Sequence, residues 1–199
     1  MERNMGFRKK RRSSLNFGRT RRKFNVDKFK NTMIWIIEII AVILLAYVLV
    51  SSFGIRTKVV GQAMSDTLEN GDEILINKMV KNPKSGDVIV FLPNGNEKSH
   101  YYIRRVIGVP GDTVVIKDGA VYINGQLYNE KIDVAAMEED GIAGEEIVLG
   151  EDEYFVLGDN RNNSEDSRYA NIGNIKKEYI VGTAWYRCES INGTTGFVH

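Results

Sequence analysis

The sequence predicts a mostly β domain, a coiled or barrel-like sheet, carried behind one N-terminal membrane-spanning helix. Three observations predict it. One unbroken apolar run lies near the N-terminus, a train of short Val-, Ile- and Tyr-rich segments follows it, and charge is divided sharply between the two ends.

Residues 1–30 form a basic arm. They hold twelve of the 27 Lys and Arg and only two acids, Glu2 and Asp27, leaving 15 basic and 24 acidic residues in the rest of the chain. The formal net charge of +1 conceals this asymmetry. Stretches such as "FRKKRR" suit nucleic acid in isolation. Immediately before an apolar run they instead set membrane topology and touch anionic lipid headgroups, so lipid and not nucleic acid is the expected partner.

The run itself is "MIWIIEIIAVILLAYVLVSSF", Met33 to Phe53. As a helix it is about 31 Å long, against a hydrocarbon core of about 30 Å. A buried core helix of this length would keep a polar face. A cleaved signal peptide has a shorter apolar region, about 7–15 residues. Residues 31–54 are therefore read as an uncleaved signal-anchor. The positive flank places the N-terminus in the cytoplasm and residues 55–199 outside the cell membrane. Glu38 sits near the cytoplasmic end of the span, close enough to snorkel toward the interface.

Beyond Gly54 the pattern changes. "RTKVVG", "DEILINKMV", "GDVIVFL", "YYIRRVIGV", "DTVVIKDGAVYING", "EYFVLGD" and "YIVGTAWYRC" read as short strands joined by turns. Asp118-Gly119 and Asn124-Gly125 are hairpin signals. Residues 126–150, more acidic and less regular, read as an insertion or small subdomain. Cys188 is the only cysteine and His100 and His199 the only histidines. An intramolecular disulfide is impossible, and neither a metal nor another cofactor is expected.

Four blocks carry more than strand propensity: "GQAMSDTL" from Gly61 with "NGDEILINK" after it, "SGDVIVF" from Ser85, "YIRRVIGVPGD" from Tyr102, and "LGDNRNNSEDSR" from Leu157. In this order, behind one N-terminal span, they resemble the bacterial type I signal peptidases. The resemblance implies a membrane-anchored serine peptidase of the Ser–Lys type, mostly β, which removes signal peptides from secreted preproteins on the outer face of the membrane. It also implies two substitutions. Ala63 stands at the nucleophile's position in the first block and Arg104 at the general base's position in the third, and Asp66 replaces a proline. Met64, Thr67, Leu68, Arg105, Ile107, Gly108, Pro110, Gly111 and Asp112 match the family's pattern. So do Gly158, Asp159, Asn160, Arg161, Ser164, Asp166, Ser167 and Arg168. The resemblance makes Ser164, Asp166 and Arg168 the support of the base.

A Ser–Lys pair needs a hydroxyl to attack the scissile carbonyl and a neutral amine to take its proton. A methyl group has no lone pair, and a guanidinium stays protonated at neutral pH. Ser65 would lie two strand positions away, a shift of about 6.6 Å, far beyond the tolerance of such chemistry. Lys78 and His100 read as solvated residues and Cys188 as a plain thiol.

Two structural expectations follow. Asp166 and Arg168, at i and i+2, form a charge-assisted pair near the site floor. Arg104, if buried, needs a carboxylate or carbonyls, with Asp166 the natural candidate. A peptide groove remains possible, because an added strand bonds through its main chain. Residues 55–61 and the strand near 101–106 would flank it, and Val59, Gly61 and Met64 would line it. Three functions stay open: a family member that binds the signal-peptide region of secreted or surface preproteins without cutting, or assists their processing or assembly; an active signal peptidase carrying inactivating substitutions; and a structural membrane protein with an unrelated outer partner.

Overall fold

The computed structural model describes residues 26–53, 55–65, 67–190 and 192–198. The basic arm as far as residue 25, Gly54, Asp66, Ile191 and His199 lie outside the described residues.

The N-terminal helix α1 runs Val26–Phe53, starting seven residues before the apolar run. Nothing in "VDKFKNT" breaks a helix, and Asp27 in the first turn complements the helix dipole. All residues from Val26 to Ser51 are exposed. A soluble core helix would be covered, so α1 is a helix long and apolar enough to cross a membrane.

Twelve strands follow: β1 Ile55–Lys58, β2 Glu73–Asn77, β3 Val88–Phe91, β4 Tyr102–Gly108, β5 Thr113–Lys117, β6 Ala120–Ile123, β7 Gln126–Leu127, β8 Ile147–Val148, β9 Glu153–Leu157, β10 Ile175–Lys176, β11 Ile180–Glu189 and β12 Gly196–Phe197. The main sheet is ordered β1-β2-β11-β3-β4-β9-β10, with β12 added to β11. A second sheet is ordered β7-β6-β5-β8. The fold is mostly β, as the strand pattern predicts. Asp118-Gly119 and Asn124-Gly125 make the turns of β5–β6 and β6–β7, all four residues at positive φ. Residues 126–150 supply β7 and β8, so they complete a sheet begun by the β5–β6 hairpin.

Period-two alternation divides the core. Val88, Val90 and Ile103 face one cluster with Val59, Met64, Leu68, Ile74 and Ile76. Ile89, Phe91 and Val106 face another with Tyr154, Val156 and Ile175. The second sheet closes over a third cluster around Ile107, Val114, Ile116 and Phe155. β4 contributes to all three, which fixes its position between the two sheets.

Every neighbouring pair from β1 through β4 along the main sheet is antiparallel. β1 and β4 therefore run in the same direction.

Candidate functional site

Two backbone edges are open. β1 ends the sheet. Val59 exchanges bonds with Gly71 and Asp72 on the β2 side, so alternation turns the peptide groups of Arg56 and Lys58 to the free edge. In β4, Val106 exchanges bonds with Gly86 and Asp87 on the β3 side. Tyr102 and Arg104 turn the same way, and Ile103 turns toward β9. The β4–β9 ladder stops at Arg105 opposite Leu157, so the Ile103 edge lies beyond it.

The β1 edge and the segment that enters β4 line a cavity of about 640 Å³. Thr57, Lys58 and Val60 line one wall, and Ser99, His100 and Tyr101 the other, with Leu92 and Glu97. One wall continues into Gln62 and Ala63, the other into Arg104.

The predicted groove residues sit differently. Val59 and Met64 are packed in the core, 4% and 1% exposed, while Gly61 is exposed. Val60, inside the flanking range 55–61 but not among the expected lining residues, lines the cavity. Strict alternation from the buried Val59 would have found it.

The Ala63 segment is a turn and not a strand. β1 ends at Lys58, and Gly61 adopts φ +90, open to glycine but strained for other residues. Its N–H donates to Asn70 Oδ1. Bonds from the N–H groups of Ser65 to Gln62 and of Leu68 to Met64 close the turns that follow. The strand spacing expected for Ser65 is thus corrected. Its hydroxyl donates to Gln62 O at 2.8 Å.

The loop after β9 grips this turn. Asn160 donates its N–H to Ala63 O at 3.1 Å and its side-chain amide to Gln62 O at 3.2 Å. Gly158 passes so close that a Cβ there would lie 2.2 Å from Ser164 Oγ and 2.5 Å from Ala63 O. One of those atoms is backbone and cannot rotate away. Gly158→Ala is expected to lower the stability of the outer domain by about 2–3 kcal/mol through overpacking, read as a lower midpoint in urea unfolding.

Three buried arginines staple the loop. Arg105 meets Asp159 through both oxygens, at 2.8 and 2.7 Å, and also donates to Gly86 O and Thr67 Oγ1. Arg161 reaches Glu130 at 2.6 Å and Gly158 O at 3.1 Å. Arg168 and Asp166 form a buried pair at 2.8 Å. Asp166 Oδ2 also accepts the N–H of Gly158, and Arg168 Nη1 donates to Glu139 O. Through Glu130 and Glu139 the acidic 126–150 segment is docked onto the loop.

Arg104 is 7% exposed. Its Nε and Nη2 donate to Glu165 O at 2.9 and 2.7 Å, and Nη1 to Ile103 O at 2.7 Å. Tyr102 stacks beneath it, 5.1 Å from the guanidinium carbon to the ring centre. The expectation of Asp166 as its partner is corrected in favour of the carbonyls, because both oxygens of that carboxylate are engaged by Arg168 and the backbone. Burial lowers the pKa of Arg104 below its ordinary value, and the charges of Asp166, Tyr102 and Glu165 oppose the shift. The guanidinium stays cationic at neutral pH. Ser164, 8% exposed, has no hydrogen-bond partner for its Oγ among the described residues. His100 and Lys78 are exposed and Cys188 is half-buried.

The family model of signal peptidase, peptidase S26, matches residues 32–188. The chain is 39% identical over 172 residues to signal peptidase I P of Bacillus subtilis subsp. natto, covering 78% of this chain and 90% of that one. It is 34% identical over 169 residues to signal peptidase I of Bacillus licheniformis, covering 79% and 89%. A crystal structure of a signal peptidase I from Enterococcus faecalis V583 is 30% identical and covers 51% of this chain and 95% of that one, with a TM-score of 0.39. This chain belongs to the signal peptidase family, peptidase S26.

Proposed function

We propose that this protein is a signal peptidase family member that has lost proteolysis and binds the signal-peptide region of secreted or surface preproteins without cutting it. The observation that carries the reading is the groove itself. The free edge of β1 and the segment leading into β4 line one cavity, and the chain runs on from these two walls to the methyl group of Ala63 and the guanidinium of Arg104. The edges supply what main-chain recognition of an extended peptide needs. The end of the groove has neither a hydroxyl at Ala63 nor a titratable base at 104.

The helix anchors the protein in the cell membrane, and the basic arm holds the N-terminus on the cytoplasmic side against anionic lipid. The groove then faces the compartment where signal peptides emerge. Ser164, Asp166 and Arg168 serve as the floor against which Ala63 and Arg104 are held.

The test is equilibrium binding of a labelled peptide carrying a signal-peptide C-region with an Ala-x-Ala ending to the full chain in detergent. Saturable binding is expected, weakened about tenfold by Val60→Pro, because proline removes an edge N–H and its ring crowds the β1 wall. Absence of saturable binding, or binding indifferent to that change, counts against the reading.

A further inference from the structure

Positive charge is unevenly placed on the outer body. Residues 31–199 hold 15 basic and 24 acidic residues, yet residues 74–86, "ILINKMVKNPKSG", carry three lysines and no acid. Lys78, Lys81 and Lys84 are exposed. A fourth lysine joins them from the turn before β11, where Lys177 donates from Nζ to Asn82 Oδ1 at 2.6 Å. Lys78, Lys81 and Lys177 line one cavity of about 550 Å³, with Val80, Ile180 and Val181 as apolar walls. Asp152 and Glu178 line it too, but among the described residues neither forms an ion pair with these lysines.

The strand register ties this cluster to the foot of the span. α1 ends at Phe53 and β1 begins at Ile55, two residues or about 7 Å of chain further on. Ile55 pairs with Ile76 of the antiparallel β2. The chain leaving β2 therefore runs back toward the end from which β1 came. Lys78 and Met79 are the second and third residues after Ile76. The headgroup layer outside the hydrocarbon core is about 5–7 Å deep on each side, so a loop returning this way reaches it.

The loop's chemistry suits that layer. Met79, between Lys78 and Lys81, is 60% exposed. Its N–H donates to Asn77 Oδ1 at 2.9 Å, and Pro83 is buried, so the segment is held on both sides of the exposed methionine. An apolar side chain flanked by long cationic ones matches a segment lying in the interface. The apolar group meets the acyl boundary and the ammonium groups meet phosphates. The charge is complementary as well: an acidic body is repelled by anionic lipid everywhere except at such a cluster.

We propose that the β2–β3 loop from Lys78 to Lys84, together with Lys177, is a docking surface for anionic phospholipid headgroups of the outer leaflet. It gives the outer domain a second hold on the bilayer besides α1 and limits how far the domain swings from the membrane. The inference rests on reading α1 as a membrane span with residues 55–199 outside, and it does not depend on peptide binding.

The experiment uses the full chain carrying Cys188→Ser and Met79→Cys, with a fluorophore on the new thiol, reconstituted into vesicles. Three conditions are compared: phosphatidylcholine alone, phosphatidylcholine with phosphatidylglycerol, and phosphatidylcholine with soluble glycerol phosphate in the buffer. Shielding of the label from acrylamide, a neutral aqueous quencher, reports the docked loop. Shielding is expected only with phosphatidylglycerol, and 1 M salt should remove it, because the Debye length falls to about 3 Å. Adding Lys78→Gln, Lys81→Gln and Lys177→Gln should lower the ratio of docked to free loop about a hundredfold, at about fivefold per lysine. Each protein is compared with itself across lipids, so a general loss of folded material cancels. Equal shielding with and without phosphatidylglycerol overturns the inference, as does shielding that survives the three lysine changes. Shielding by glycerol phosphate as complete as by phosphatidylglycerol also overturns it, since the occupant is then a free phosphate. Vesicle flotation separates the two readings: a protein that floats but shows no shielding leaves the span standing, and one that does not float overturns both.

Discussion

The double variant Ala63→Ser, Arg104→Lys is expected to cleave a preprotein at an Ala-x-Ala site, while the unaltered protein and both single variants do not. The asymmetry follows from how a nucleophile and its base act together. Either loss alone removes nearly all covalent catalysis, about 10⁶-fold in kcat in a comparable serine peptidase, and the losses do not add. A hydroxyl at 63 facing a guanidinium has no acceptor for its proton, and an amine at 104 facing a methyl group has nothing to activate. The double variant restores both, and the floor is already set for them. Asn160 fixes the Ala63 carbonyl at 3.1 Å, and Ser164, whose hydroxyl has no partner among the described residues, adjoins the Glu165 carbonyl that Arg104 holds. Burial that lowers the pKa of Arg104 would do the same to a lysine, favouring the neutral form a base needs. Intact-mass analysis of the preprotein should show cleavage by the double variant at least about 10⁴-fold faster than by the unaltered protein. Specific cleavage by the unaltered protein would place the chemistry on another residue.

Much of this architecture is legible in the sequence, and the parts that are not share a cause. Strand segments, both hairpin turns and the apolar helix are written in local periodicity and turn residues, so they can be read without tertiary information. The pairing of Asp166 with Arg168 is also local, at i and i+2. The partner of Arg104 is not. The sequence offers Asp166 because a carboxylate is the chemically obvious match, yet the fold gives that carboxylate to Arg168 and supplies main-chain oxygens instead. Backbone acceptors carry no sequence signal. The turn at Gly61–Leu68 was hidden for a similar reason: "VVGQAM" continues a strand pattern, and only the positive φ of Gly61, enforced by the Asn70 cap, ends it. The groove lining followed from the same error. Val59 and Val60 are alike as residue types, and the register against β2 decides which one faces the core. The short strands β7, β8, β10 and β12 have two residues each, below the length at which alternation can be seen.

The largest stability effect is expected from Asp159→Ala. Arg105 is 3% exposed, and its guanidinium meets both Asp159 oxygens. Removing the carboxylate leaves a cation in a site with only the Gly86 carbonyl and a long contact to Thr67 to hold it. Breaking a buried pair on one side costs about 3–5 kcal/mol, a large fraction of a domain's total stability of about 5–15 kcal/mol. The outer domain should lose most of its urea resistance, with its midpoint well below that of the unaltered protein. Replacing both partners, Arg105→Met with Asp159→Leu, should recover most of the loss, because no charge is then stranded. If Asp159→Ala costs under about 1 kcal/mol, the pair is not what holds β4 to the loop after β9. The prediction also reaches the groove. Asp159 lies between Gly158, which leaves no room beside Ser164, and Asn160, which holds the Ala63 carbonyl. Freeing the loop there loosens its hold on the Ala63 turn, so peptide affinity should fall together with stability. In the double replacement, stability should return further than affinity, since the apolar pair can fill the space but cannot reproduce the bidentate geometry that fixes the loop's path.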